Sequence, residues 1–442
     1  MKLSNPGFWF GAVTAIFIGG WVGWFFQSPA VDTSSPIFPS ILIAMSMMLP
    51  ALLVVALLSR LGSMRWTLAT IVLAALLVRV LLLGVDPFLS DDLYRCLWDG
   101  EVQRVGLDPY LAAPSAPVLD EVASTQYWST IRSQINHPDI PTVYPPLSQL
   151  VFRWAAYNET GWRSLLVLLD LLVGVVLAVA LNKFGQDPRR AVLWWWHPLP
   201  ILECSIGGHP EIVAVLLTTL GIACLATHRG MLAAAAIGAG VSAKLLPIGW
   251  LPLLLHRIGR RAWIPFLSLI LVSVVPFFDS DLRLATVGLR EYATSWYSGD
   301  LLYRPLGQLL GLDPENRFST AAQGLRIFFL LCWGFVAWRC RKSSPWRAFL
   351  VVSCAFVVLS PTLHPWYLLW LLPAAVMEKS AAALALSWAV LFQYGVLDGW
   401  RATGVWEMPD GTRALVLALP VFLFIRQWRR ERGEQVSIPA KE

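Results

Sequence analysis

SDDLYRCLWDGEVQRVGLDPY, Ser90 to Tyr110, follows directly on an apolar run long enough to cross a bilayer. The stretch holds two adjacent acids, Asp91 and Asp92, a third at Asp99, and several aromatic residues. Carboxylates just outside a membrane span keep charge where lipid makes it expensive, which marks them as candidate functional groups. Ser90 can cap a helix whose first turn carries Asp91 and Asp92, the end that favours negative charge. At about 100° per residue, Asp92, Arg95, Asp99 and Gln103 form one polar stripe, while Leu93, Leu97, Trp98 and Val102 cover the other side. That pattern predicts an amphipathic helix lying on the membrane surface.

Outward from this stretch the chain is strongly apolar. Of its 442 residues 57% are hydrophobic and 14% charged, against roughly a quarter charged in a soluble protein. A span in lipid must satisfy its own backbone, which helices do. The predicted fold is therefore an all-α integral membrane protein, a single multi-pass domain over residues 1–442 with about 13–14 transmembrane helices. The net charge of +6 lies in short basic clusters between apolar runs, the pattern of cytoplasmic loops rather than of a nucleic-acid site. Five of the six cysteines lie in or near apolar runs and none forms a CxxC pair, so neither a disulfide framework nor a metal site is expected. The first apolar run lacks an A-x-A-like exit and reads as a span rather than a cleavable signal.

The first three spans are predicted at Phe8–Phe26, Phe38–Leu58 and Trp66–Val85. Arg60 and Arg65 assign the second turn to the cytoplasm, which makes residues 86–162 a large outer loop. That loop closes with NHPDIPTVYPPLSQ, Asn136 to Gln149, whose prolines forbid a long helix before Pro146. Ala191–Ile206 is expected to cross outward and to end in the turn GGHPE, Gly207 to Glu211. The run Met231–His256 is broken by Lys244 and Pro247 and reads as two shorter helices with Lys244 near the outer turn. A second outer loop spans residues 279–318 and carries Arg283, Arg290, Trp296, Tyr297, Tyr303 and Arg304. SPTLHPWY, Ser360 to Tyr367, forms a further outer turn before a span at Trp366–Val376. The basic clusters put both termini in the cytoplasm of a plasma (inner) membrane protein.

Several constellations carry possible chemistry, each with a plain structural alternative. Asp91 and Asp92 can serve as a general base for a sugar hydroxyl, or only as partners of the helix dipole. His137, Tyr144 and Gln149 line a proline-stiffened segment that is either a cleft wall or a rigid loop. His209 and Glu211 flank Pro210 at a membrane edge. One histidine and one acid are too few for a metal site, and an interfacial histidine is the plain alternative. Lys244 is harder to dismiss, because a lysine at mid-membrane costs roughly 2.5–3.5 kcal/mol. Snorkelling reduces that cost, and a resident phosphate would offset it further. Arg290, Arg304 and His364 are other cations on the predicted outer face.

Taken together, SDDLYRCLWDG with DPY, HPDIPTVYPPLSQ, LECSIGGHPE, the broken AKLLP helix and SPTLHPWYLLWLLP resemble the multi-pass GT-C glycosyltransferases. The resemblance is to their bacterial polyprenol-phosphate-dependent mannosyltransferase-like branch, and in topology it covers most of the chain. It implies a carboxylate base in the first large outer loop and a polyprenyl-phosphate sugar as donor. Here that acid follows the third span, whereas many relatives carry it after the first.

The implied activity is transfer of a hexose, with mannose the expected one, to a glycan or lipid acceptor on the extracytoplasmic face. Transfer would invert the anomeric centre and need no metal or cofactor, since outer cations can meet a phosphate leaving group. On this reading Asp91 is the base, and Asp92 orients the acceptor or holds Arg95. Lys244, with Arg304 or His364, holds the donor phosphate. Trp98, Asp99, Tyr144, Gln149, His137, His209, Glu211, Trp366 and Tyr367 are candidate substrate contacts. The partners are the lipid-linked donor, the acceptor and membrane lipid, with no nucleic acid. A flippase or transporter for a lipid-linked sugar is the competing class, and a glycan polymerase or ligase is a third. Transporters tend to carry repeated halves and polar groups deep in the bundle, whereas the polar groups here gather toward one face.

Overall fold

Three N-terminal apolar runs become helices where their lengths predict them. Pro6–Phe26 is opened by Asn5, whose side chain accepts from the Phe8 N–H at 3.1 Å, with proline in the first turn. Ile37–Arg60 and Met64–Leu82 follow. The free N–H groups that start the second helix are met from far away in sequence. The Asp398 carboxylate accepts from Ile37 at 2.6 Å and from Phe38 at 2.9 Å, an anion at a helix N-terminus.

A computed structural model describes residues 5–29, 35–277, 286–296, 298–312, 316 and 319–436. Arg283 and Tyr297, named above in the second outer loop, lie outside the described residues. The described residues are all-α, and one isolated parallel bridge joins Ser298 to Thr362. Among them seven helices have the length and apolarity to cross a membrane. Three shorter apolar helices, Glu211–Ala226, Gly230–Ala243 and Pro345–Leu359, pack beside them.

Two of the expected spans are present only as broken pieces. Residues 191–206 fold as short turns of helix, Val192–Trp195 and Pro198–Leu202, followed by a π-helical turn at Glu203–Gly207. Pro198 and Pro200 deny the backbone a continuous helix. Trp194, Trp195 and Trp196 are almost wholly buried there. Pro365–Trp370 is a 3-10 turn and Leu372–Met377 a short helix, again beside prolines and again buried. Both segments therefore line the protein interior rather than face lipid. The break at Lys244 occurs where the sequence predicts it: Gly230–Ala243 ends there, Lys244 is extended, and a new helix runs from Leu251 to Arg257.

Buried charges tie the helices together. Arg79 pairs with Asp170 with neither side chain exposed, and the Trp194 indole N–H donates to Asp170 at 2.8 Å. A charge inside a span survives only when paired in this way. Arg163 donates to the carbonyls of Val85 at 2.6 Å and Ser205 at 2.9 Å, which fixes the base of the large loop.

The helix Asp92–Arg104 corrects an expectation. Its polar stripe does not face water over a membrane surface. It is turned inward against a second helix, Pro146–Ala155, and Arg95, Asp99 and Gln103 are all buried. Asp99 accepts from Arg95 Nε at 2.9 Å and from Gln149 Nε2 at 2.8 Å, and Gln103 donates to Gln149 Oε1 at 2.8 Å. Leu93, Leu97 and Val102 are buried as well, so both sides of the helix are covered. Periodicity distinguishes a polar from an apolar side, but it does not reveal that a satisfied polar network has buried the polar one. The two helices approach closely at Gly100, where a Cβ would stand 2.6 Å from the Phe152 carbonyl oxygen.

Candidate active site

The chain places its unusual residues together by pressing the GGHPE turn onto the acid-bearing helix. Gly208 has φ +69, a left-handed conformation that favours glycine, and a Cβ there would meet Leu93 at 2.6 Å. Its carbonyl accepts from Trp162 Nε1 at 2.8 Å. The turn sits between the π-helical Glu203–Gly207 and the helix Glu211–Ala226, which delivers His209 and Glu211. Irregular turns of the π type are frequent at functional sites.

His209 is buried, with Nδ1 2.8 Å from Glu203, and the Tyr394 hydroxyl donates to the other Glu203 oxygen at 2.7 Å. The His209 ring stacks on Trp366 with centroids 3.8 Å apart, and His364 stacks on Trp366 at 4.4 Å. Two near-parallel rings so close to one centroid must occupy opposite faces, so Trp366 is held between two imidazoles. Lys244 pairs with Glu211, and its ammonium lies 5.7 Å from the ring centres of both Tyr144 and Tyr367. The Tyr367 hydroxyl meets that of Tyr292. Three loops distant in sequence therefore converge on one group.

The two adjacent acids part company here. Asp92 accepts from Asn136 Nδ2 at 3.0 Å, and its own N–H donates to Ser90 Oγ at 3.2 Å. The charge of Asp92 acts on His137, His209, Lys244 and His364 together. Asp91 is exposed at the edge. Although the residue is exposed, partial loss of solvent to neighbouring protein, and then the charge of Asp92, raise its carboxyl above the ordinary value. Burial pulls His364 down to about 4, with His209 and Lys244 adding to the effect and Asp92 opposing it, so its imidazole is neutral at pH 7. His137, at φ +48, packs on Trp296 at 4.5 Å, and burial lowers its pKa also.

Other residues expected at the site have different employment. Arg95, Asp99 and Gln149 bond one another, and Trp98 is buried beneath the Arg132 guanidinium, 5.5 Å from its ring centre. These four bond or pack within the scaffold that holds the helix in place. Arg304 pairs with Asp300 at 3.2 Å, and Arg413 stands 3.6 Å from the same carboxylate. Glu203, Asn136 and Tyr292 were not singled out in the sequence. Glu203 could have been, because it is an acid inside the apolar run LPILECSIGG. A cavity of about 500 Å³ lined by His228, Arg257, Trp346 and Glu378 contains none of these residues. It lies beyond the far end of the Glu211–Ala226 helix, roughly 22 Å from Glu211 at 1.5 Å per residue. Among the described residues no group of three or more His, Cys, Asp or Glu side chains is arranged to hold a metal ion.

Residues 8–258 match the family described as alpha-(1->6)-mannopyranosyltransferase, N-terminal domain. Alpha-(1->6)-mannopyranosyltransferase A of Mycobacterium tuberculosis is 28% identical over 77% of this chain and 75% of its own length. A second alpha-(1->6)-mannopyranosyltransferase of that organism is 24% identical over 81% of this chain and 75% of its own. No solved structure matches the chain. The relatives are named as transferases, which decides between the enzyme and transporter readings of the sequence. With its apolar helices and its match over residues 8–258, the chain is a multi-pass membrane protein that belongs to the alpha-(1->6)-mannopyranosyltransferase family.

Proposed function

We propose that the protein transfers a mannosyl group from a polyprenyl-phosphate mannose to a hydroxyl of a glycan or lipid acceptor, on the extracytoplasmic face of the plasma membrane. The observation that supports this reading best is the convergence of Lys244 and His364 on Tyr367, with the GGHPE turn pressed onto the start of the helix that carries Asp92. A carboxylate and phosphate-binding groups are what a displacement at an anomeric carbon requires. The acceptor oxygen forms a bond to the anomeric carbon, and its proton passes to the Asp92 carboxylate. The bond from that carbon to the phosphate oxygen breaks, and its electron pair leaves with the phosphate. The ammonium of Lys244 and an N–H of His364 meet the charge that develops there. A single displacement inverts the anomeric centre, and no metal is needed.

This reading gives the base role to Asp92 rather than to Asp91, which the sequence favours. Asp92 shares its surroundings with the phosphate-binding groups, whereas Asp91 is exposed at the edge, suited to an arriving acceptor. Both faces of Trp366 are taken by His209 and His364, so aromatic contact with the sugar or the first isoprene units falls to Tyr367 beside Lys244.

The test is to supply the purified protein with radiolabelled mannose on a polyprenyl phosphate, glucose on the same carrier, and mannose on a nucleotide. Transfer from polyprenyl-phosphate mannose alone is expected. Transfer from the nucleotide sugar in the absence of lipid carrier would overturn the proposal.

A further inference from the structure

We propose that Glu211 is the resident anion of the phosphate site, holding Lys244 when no lipid phosphate is bound and competing for it when the product must leave. The inference rests on the reading above that Lys244 receives the donor phosphate.

Lys244 is already paired. Glu211 holds it with a carboxylate that is 2% exposed, while the lysine side chain is 27% exposed. An incoming phosphate can therefore reach the ammonium only from its exposed side, at a group that also has the rings of Tyr144 and Tyr367 close by. An ammonium has three donors, so it can pass from one anion to another without losing all its bonds at once.

The charge of the lipid phosphate changes during the reaction. The donor is a phosphodiester with one negative charge. When its bond to the sugar breaks and the electron pair stays on oxygen, the product is a monoester carrying about −1.5 to −2. Attraction to Lys244 grows in proportion. A site built only of cations would thus grip its product more tightly than its donor. Glu211 opposes this, because its repulsion of the phosphate grows by the same factor. Glu211 also has a second source of stabilisation while Lys244 is engaged elsewhere. It is the first residue of the helix Glu211–Ala226, where the helix dipole favours negative charge.

The experiment measures binding of a polyprenyl phosphate and of polyprenyl-phosphate mannose to the full chain in lipid nanodiscs. It compares the wild type with Glu211→Gln and Lys244→Gln. Lys244→Gln should weaken both ligands. Glu211→Gln should tighten both, the monoester more, raising the monoester-to-diester preference about tenfold and deepening product inhibition. If Lys244→Gln weakens both while Glu211→Gln leaves the preference unchanged or lowers it, Glu211 is only a structural partner of Lys244. In that case the proposed function stands and this inference falls. If Lys244→Gln alters neither ligand, the assignment of the phosphate to Lys244 fails and the inference falls with it. Should Glu211→Gln not fold, Glu211→Asp keeps the charge but retracts it from Lys244. A smaller rise in the same preference is then expected, and no change would overturn the inference.

Discussion

Replacing Asp99 by leucine separates a scaffold from a substrate contact. The Asp99 side chain is 2% exposed and that of Arg95 is 9% exposed, so their pair is a buried one. Asp99 also accepts from Gln149, whose Nε2 donates in addition to Thr142 Oγ1 at 2.7 Å. Asp99→Leu therefore strands the Arg95 charge and removes one acceptor from Gln149. Removing one partner of a buried ion pair destabilises by about 3–5 kcal/mol. The loss should appear as a lower midpoint of thermal unfolding in detergent, with transfer activity falling in step as the helix Asp92–Arg104 loosens from Pro146–Ala155. In the double variant Asp99→Leu with Arg95→Met no charge is stranded. It should recover much of the stability, since replacing a buried pair by apolar groups is often close to neutral. The reasoning is refuted if Asp99→Leu unfolds like the wild type but raises KM for the acceptor. It is equally refuted if the double variant is less stable than the single one.

Three further outcomes are expected. The folded-state pKa of Asp91 is raised above its ordinary value of 3.8, so its ionisation opposes folding as pH rises through that raised value. Asp91→Asn should therefore unfold later than the wild type at pH 7, and this advantage should vanish at acid pH; an earlier midpoint at pH 7 would contradict it. Cysteines introduced singly into the loops at residues 86–162 and 360–366 should react with an impermeant reagent from the extracytoplasmic side only, and cytoplasmic labelling of the first loop would reverse the orientation proposed. Exhaustive chelation should leave the transfer rate unchanged, whereas a loss that Mg²⁺ or Mn²⁺ restores would show that Asp91 and Asp92 bind metal.

Much of the fold could be read from residue types and lengths. The first three helices follow from runs long enough to span, and the break at Lys244 follows from a lysine and a proline inside an apolar run. The proline-rich Asn136–Gln149 segment ends in a helix that starts at Pro146, where the chain first permits one. What could not be read depends on contacts between distant residues. Arg79 and Asp170 stand 91 positions apart, and Asp398 caps a helix that starts 361 positions before it. Nothing in either local sequence specifies such a partner. The same holds at the site: Glu203 meets Tyr394 across 191 positions. The choice between Asp91 and Asp92 depends on which of them Asn136 reaches, 44 positions away. An adjacent pair diverges by about 100° on a helix, which says that the two differ but not which one faces inward.

The central claim is that Asp92 takes the acceptor proton at a site where Lys244 and His364 hold the lipid phosphate. Single-turnover transfer of labelled mannose from polyprenyl-phosphate mannose, compared between Asp92→Asn and Asp91→Asn, tests it most directly. Asparagine keeps the shape of the side chain and can still accept from Asn136, but it cannot take the proton. Asp92→Asn should slow transfer by about 10²–10⁴-fold with donor binding intact, while Asp91→Asn should keep most of the rate. Transfer at the wild-type rate by Asp92→Asn, with Asp91→Asn inactive, would contradict the account and return the base role to Asp91.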